Sequence, residues 1–268
     1  MVEVEIKNYR TFEVVVRPKK SLGQHFLTDM QICKKISDSF QPDPGSRVVE
    51  IGPGTGALTG FLTDRQLHPL LIEIDRESVA YLKEKIPAGQ ADIRESDFLE
   101  TGFEVIPEQK ISLIGNFPYN ISSQIFFKIL ENRNRVGLVV GMIQKEVAQR
   151  IAAPSGTRAC GILSVLLQAY YDIRILFHVP PGVFNPPPKV TSSVVRLVRN
   201  QTEVLGCDED LFFKIVKRAF QNRRKTLRNA LKDLHLPASV YALQVMDKRA
   251  EQLTVSDFVG LVNNIQAS

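Results

Sequence analysis

The chain has 268 residues, 44% hydrophobic and 24% charged, with a formal net charge of +5 and a pI near 9.1. That length can bury a sizeable core and hold two domains, the composition is that of a soluble globular protein, and the charge admits a polyanionic partner without requiring one. No apolar run is long enough to span a bilayer, residues 1–10 lack a signal-peptide core, and the scattered Cys33, Cys160 and Cys207 offer neither a disulfide framework nor a CxxC metal site, so we expect a reducing cytoplasm, no membrane and no metal.

Residues 1–18 alternate weakly until Pro18 closes the run, and an edge strand and a loose arm both fit. A basic and then loop-like stretch follows over residues 19–27. A helix is predicted over 29–40, with Ile32, Ile36 and Phe40 on one face, ended by Pro42-Asp43-Pro44-Gly45. Strands are then predicted over 47–51, 70–74, 91–95, 111–115 and 136–143, interleaved with helices over 57–67, 77–86, 122–131, 145–152 and 161–170. Two late β-rich runs, 173–179 and 190–198, have no helix between them and should pair antiparallel. This pattern is α/β: a mostly parallel, doubly wound sheet with a reversed strand. Beyond residue 200 only helical spacing remains. Helices are predicted over 208–221 behind Asp208, over 223–234, and after the capping-box-like Thr254-Val255-Ser256-Asp257. The expected division is 1–200 for the sheet domain and 201–268 for a small all-helical domain.

Glu50-Ile51-Gly52-Pro53-Gly54-Thr55-Gly56 falls at the first strand-to-helix turn. Gly52, Gly54 and Gly56 permit a tight turn and close approach by a ligand. Their spacing is GxGxG, not the dinucleotide GxGxxG, and Pro53 removes a backbone donor that a pyrophosphate would use. Glu73 ends the next strand, 21 residues after Gly52, where doubly wound folds keep the acid that takes ribose hydroxyls. Asp97 follows the third strand, placed to accept from an adenine amine. Either acid alone is ordinarily a solvated loop residue. On one sheet edge with the glycine turn they describe a ligand with ribose and adenine but no phosphate, and S-adenosylmethionine fits.

Asn116-Phe117-Pro118-Tyr119 leaves the fourth strand at that same edge. An amide, a carbonyl beside a rigid proline and an aromatic face suit an exocyclic amine on a flat ring. The Asn116 side chain and the Phe117 carbonyl would accept its hydrogens, and Tyr119 would stack on the ring. Phe184, in a proline-stiffened loop, either covers the second face or packs in the core. Arg218, Arg223, Arg224, Lys225, Arg228 and Lys232 crowd the helical part, with no acid between residues 211 and 232. They form either a solvated face or a phosphate-binding stripe, which the missing acids favour, and Lys19 and Lys20 would add to it.

Six motifs stand in order: KKSLGQHFL at 19–27, EIGPGTGALT at 50–59, EID at 73–75, SDF at 96–98, NFPYNIS at 116–122 and VFNPPPKVTSSVVRL at 183–197. On these the chain resembles, over nearly its whole length, the rRNA adenine N6-dimethyltransferase family. The resemblance implies a Rossmann-like class I methyltransferase using S-adenosylmethionine. It further implies methylation of two adjacent adenosines near the 3′ end of small-subunit rRNA, within an immature ribosomal subunit, during ribosome biogenesis. By resemblance, cofactor contacts fall on His25, Leu27, Gly52, Glu73, Asp97 and Asn116. His25 stands where many members carry Asn, and Phe117 where Leu is usual; the family uses the latter position's backbone carbonyl. A monomer is expected. The alternatives are a large-subunit rRNA methyltransferase, a non-catalytic nucleic-acid-binding protein that kept the fold, and an NAD-dependent oxidoreductase, against which GxGxG and Pro53 argue.

Overall fold

The structure, a computed structural model, describes residues 16–267. The expected alternation over residues 1–18 therefore lies almost wholly outside the described residues.

In chain order the strands and helices are β1 (Phe26–Leu27), α1 (Met30–Ser39), β2 (Arg47–Ile51), α2 (Ala57–Asp64), β3 (Leu70–Glu73), α3 (Arg76–Lys85) and β4 (Asp92–Glu95). Next come α4 (Phe98–Thr101), β5 (Ile111–Asn116), α5 (Ser122–Glu131), β6 (Val136–Gln144), α6 (Lys145–Ile151), α7 (Ile162–Gln168), β7 (Tyr171–Val179), β8 (Phe184–Asn185) and β9 (Ser192–Arg199). Then follow α8 (Glu209–Gln221), α9 (Leu227–Ala230), α10 (Ala238–Tyr241) and α11 (Val255–Gln266). Seven strands form one sheet in the order β4-β3-β2-β5-β6-β9-β7. β2 through β6 pair in parallel, and β9 runs antiparallel to both β6 and β7, so it alone is reversed. The strand order turns back between β2 and β5, which is where such sheets open a crevice for ligands.

β3 and β5 are buried along nearly their whole length without alternation, as strands covered on both faces must be. Val48, Ile114, Val140 and Met142 face Cys33 and Ile36 of α1, Phe40 just after it, and Leu58 and Leu62 of α2. On the other face, Val49, Ile72, Leu113 and Val139 belong to a cluster that takes in α5 and α7. That cluster continues without a break into Phe212, Ile215 and Val216 of α8 and Phe258, Leu261 and Val262 of α11. At the sheet's edge, β4 reads Asp-Ile-Arg-Glu and is largely exposed, a charged rim that discourages pairing with another chain.

Two expectations need correction. The helix predicted over 57–67 stops at Asp64, because Gln66 and His68 adopt positive φ values of 56° and 44°. The helix predicted over 223–234 does not form as one element. Thr226 instead makes an antiparallel bridge to Arg249, and Leu227 N donates to the Lys248 carbonyl at 2.8 Å. This sideways pairing delays the helix to the four residues of α9, followed by one 3-10 turn over Lys232–Leu234. A small ladder has no counterpart among the predicted elements: β1 pairs antiparallel with β8, setting Leu27 against Phe184.

Candidate functional site

The C-terminal ends of β2 to β5 open on one cavity. Gly52 and Gly54 line it from the first turn, Glu73 and Ile74 from the end of β3, Asp97 from behind β4, and residues 116–121 from behind β5. Residues 21–26 lie across the front. Gly54 has φ +57°, and a Cβ there would stand 2.8 Å from the Phe26 ring, so both backbone and clearance demand glycine. Glu73 is buried; one carboxylate oxygen accepts from Gly54 N at 3.0 Å and the other from Asp75 N at 2.9 Å. Burial raises its pKa, and those backbone donors pull it partly back. Asp97 Oδ1 caps α4 by accepting from Leu99 N at 2.7 Å, so the helix it starts also orients it.

Among the described residues, no Lys or Arg lines this cavity. Two carboxylates, a glycine turn and Pro53 without its N–H make a poor phosphate cradle and a good one for a phosphate-free nucleoside carrying positive charge. The residues present therefore fit S-adenosylmethionine.

Asn116 Nδ2 donates to the His25 carbonyl at 2.9 Å, an orientation that leaves Oδ1 to accept. Phe117 is fully buried; its N–H donates to the Met142 carbonyl at 3.0 Å, and its ring lies so close over Gly141 that a Cβ there would be 2.6 Å away. The Phe117 side chain is thus core, and only its carbonyl is free for chemistry. Tyr119 is half-buried, its hydroxyl shares a hydrogen bond with Ser192 Oγ, and burial raises its pKa while that bond lowers it. The ring stacked on Tyr119 is His25, with centroids 5.4 Å apart and planes at 29°. His25 Nδ1 lies 2.7 Å from the Pro186 carbonyl. A carbonyl only accepts, so Nδ1 is the donor in this contact.

Two expected residues stand elsewhere. Phe184 and Leu27 face each other in the β1–β8 ladder, and both are buried in the cluster around α1 and α2 rather than lining the cavity. The second aromatic beside Tyr119 is His25, not Phe184.

The expected cations divide. Lys19 pairs with Asp75 and, at 3.2 Å, with Glu77, so it ties the chain across the cavity instead of projecting. Arg228 donates to Asp247 at 2.8 and 3.0 Å and to the Tyr241 carbonyl at 2.7 Å. Arg223 donates to the Arg158 carbonyl, and Arg218 pairs with Asp233. Lys20, Arg224 and Lys225 are exposed. Sequence reasoning missed Lys214 and Lys217, which with Arg218 and Gln221 line an open groove on α8. Their spacing opposite the apolar stripe of that helix was the available signal.

The family profile "Ribosomal RNA adenine dimethylase" matches residues 15–267. A protein named Ribosomal RNA small subunit methyltransferase A from Bacteroides thetaiotaomicron is 49% identical over 256 residues, covering 94% of this chain and 95% of its own length. One of the same name from Cytophaga hutchinsonii is 50% identical over 250 residues, covering 92% and 97%. Among solved structures, a dimethyladenosine transferase from Plasmodium falciparum matches with a TM-score of 0.77 at 25% identity, over 91% of this chain and 98% of that one. The 23S rRNA methyltransferase ErmE shares the fold, with a TM-score of 0.67 at 24% identity over 89% and 99%.

Proposed function

Because this chain belongs to the ribosomal RNA adenine dimethylase family, we propose that the cavity at the sheet edge receives both S-adenosylmethionine and the adenine to be methylated. The chain is an S-adenosylmethionine-dependent methyltransferase of small-subunit rRNA. The observation that carries the site assignment is convergence: Gly52, Gly54, Glu73 and Asp97 line the same cavity as Asn116, Phe117 and Tyr119.

S-adenosylmethionine, when bound, supplies a methyl already activated on a sulfonium. Glu73 takes the ribose hydroxyls and Asp97 the cofactor's adenine amine, with His25 closing the front. The target N6 amine is a weak nucleophile because its lone pair is delocalised into the ring. Asn116 Oδ1 and the Phe117 carbonyl hold its hydrogens and favour a more pyramidal nitrogen, an interaction strongest in the transition state. Tyr119 fixes the plane of the base, so that attack is in line. The base reaches the cavity only when extruded from its RNA surroundings.

The part after residue 200 carries the RNA contacts through Arg224, Lys225, Lys214 and Lys217, with Lys20 beside the cavity. The substrate is an immature small subunit and the acting unit a monomer. Among the described residues no helix is long and apolar enough to cross a membrane, and the site of action is the cytoplasm, where subunits mature. Radiolabelled S-adenosylmethionine offered with immature small, mature small and large subunits tests this reading. Label is expected in the immature small subunits alone; transfer to large subunits, or none to any, defeats it.

A further inference from the structure

We infer that Ser192 is a positioning residue for methyl transfer: its buried hydroxyl anchors the tip of Tyr119 and so fixes the plane on which the target base stacks. The inference rests on the stacking role proposed for Tyr119 and assigns the residue that enforces it.

The topology supplies the reason. β2, β3, β5 and β6 deliver their C-terminal ends to the cavity edge, whereas the reversed β9 delivers its first residue there. Ser192 lies opposite Gln144, the last residue of β6, and Val179, the last of β7. It has no exposed surface, and its Oγ meets the Tyr119 hydroxyl across 73 positions of sequence. A buried hydroxyl needs a partner, and this serine finds it in the tyrosine of the cavity. Its neighbour Ser193, on the opposite face by strand alternation, bonds His178 Nδ1 at 2.8 Å instead.

Tyr119 sits in a turn, not in a strand, so its ring needs external support. One face rests on His25, itself oriented by the Pro186 carbonyl, and the tip is held by Ser192. Pro186, which orients His25, and Ser192 both belong to one stretch, residues 183–193. Ser192 does not line the cavity. It acts through Tyr119: with the tip released, the ring turns about its χ angles and the arriving base loses a fixed platform.

The test measures methyl transfer to immature small subunits, with S-adenosylmethionine affinity by calorimetry, for Ser192→Ala, Tyr119→Phe, the double variant, Ser193→Ala and Tyr119→Ala. Ser192→Ala and Tyr119→Phe should each lower kcat roughly tenfold, the size of one hydrogen bond's net contribution. Cofactor affinity should not change, the double variant should be no slower than either single one, and Ser193→Ala should keep the full rate. A wild-type rate in Ser192→Ala, multiplying losses in the double variant, or an equal loss in Ser193→Ala would overturn the inference. If Ser192→Ala does not fold, Tyr119→Phe decides, and full activity there overturns it. Tyr119→Ala separates the two layers. Full activity in that variant removes the stacking role itself, whereas loss there with full activity in both single variants removes only the part given to Ser192.

Discussion

Glu50 and Glu73 show how two buried glutamates near neighbouring strand ends receive different tasks. Glu73 accepts two backbone N–H groups, one of them from the glycine turn, and lines the cavity. Replacing it with Ala would release the turn as well as the ligand, so Glu73→Gln is the cleaner probe. Loss of a charged acceptor weakens S-adenosylmethionine by about 1.5–3 kcal/mol, and calorimetry on the folded variant showing wild-type affinity would refute the ribose assignment. Glu50 has no exposed route to ligand; it accepts from Thr59 Oγ1 at 2.7 Å, and burial pushes its pKa up to about 8. Its folded pKa exceeds the unfolded value near 4.5, so the folded state binds the extra proton. That contribution is fully present below the unfolded pKa and is lost as pH rises toward 8, at up to about 1.4 kcal/mol per pH unit. Glu50→Gln should therefore gain stability over wild type steadily between pH 5 and 8 in denaturant melts; a constant difference would show that Glu50 ionises freely. The acids at strand ends were legible in the sequence because a strand end fixes where its next side chain lies. The His25–Tyr119 stack was not, because nothing local places residues 94 positions apart against each other.

Elements decide how the cavity is closed. Residues 16–27 form a strap pinned at several points: Lys19 to Asp75, Val16 and Phe26 against Tyr81 of α3, the His25 carbonyl to Asn116, and the β1–β8 ladder. Burial pushes the Asp75 carboxyl up, but Lys19 and Ser78 outweigh it and hold its pKa below the ordinary value. Lys19→Ala should loosen the strap and weaken S-adenosylmethionine by roughly two- to fivefold, the range of an ion pair open to solvent. The same variant should leave the salt dependence of rRNA binding unchanged; a flatter slope with normal cofactor affinity would return Lys19 to the RNA surface. Its basic neighbourhood invited the phosphate reading, because the acid that claims it lies 56 residues away. The predicted helix over 223–234 failed for a related reason. Its composition is helical, but the bridge between Thr226 and Arg249 is a non-local contact that overrides propensity. By contrast, the helix over Ser122–Glu131 and the strand over Arg47–Ile51 match expectation residue for residue, since apolar spacing and flanking turn residues set both ends.

Across the whole molecule, the reversed strand and the shared apolar cluster join the cavity edge of the sheet to the helices beyond residue 200. Alternating strand and helix signals made the α/β class and the antiparallel pairing of β7 and β9 readable. The continuity of the core into α8 and α11 was not, because periodicity shows which face is buried but not against what. The RNA contacts proposed for Arg224, Lys225, Lys214 and Lys217 would release counterions, so binding to small subunits should weaken steeply with salt. Changing all four to Ala should flatten the log–log slope by about 0.7–0.9 for each phosphate no longer neutralised, with cofactor affinity intact, and parallel slopes would place the RNA surface elsewhere. The central claim is that one cavity delivers methyl groups to the N6 amines of two adjacent adenosines near the 3′ end of small-subunit rRNA. It is tested most directly by mapping the product: immature small subunits are labelled by the purified enzyme, and their RNA is digested and analysed by mass spectrometry. The account predicts N6,N6-dimethyladenosine at both adjacent positions with wild type and at neither with Tyr119→Ala. Methyl groups on another base or at other positions, or unaltered dimethylation by Tyr119→Ala, would contradict it.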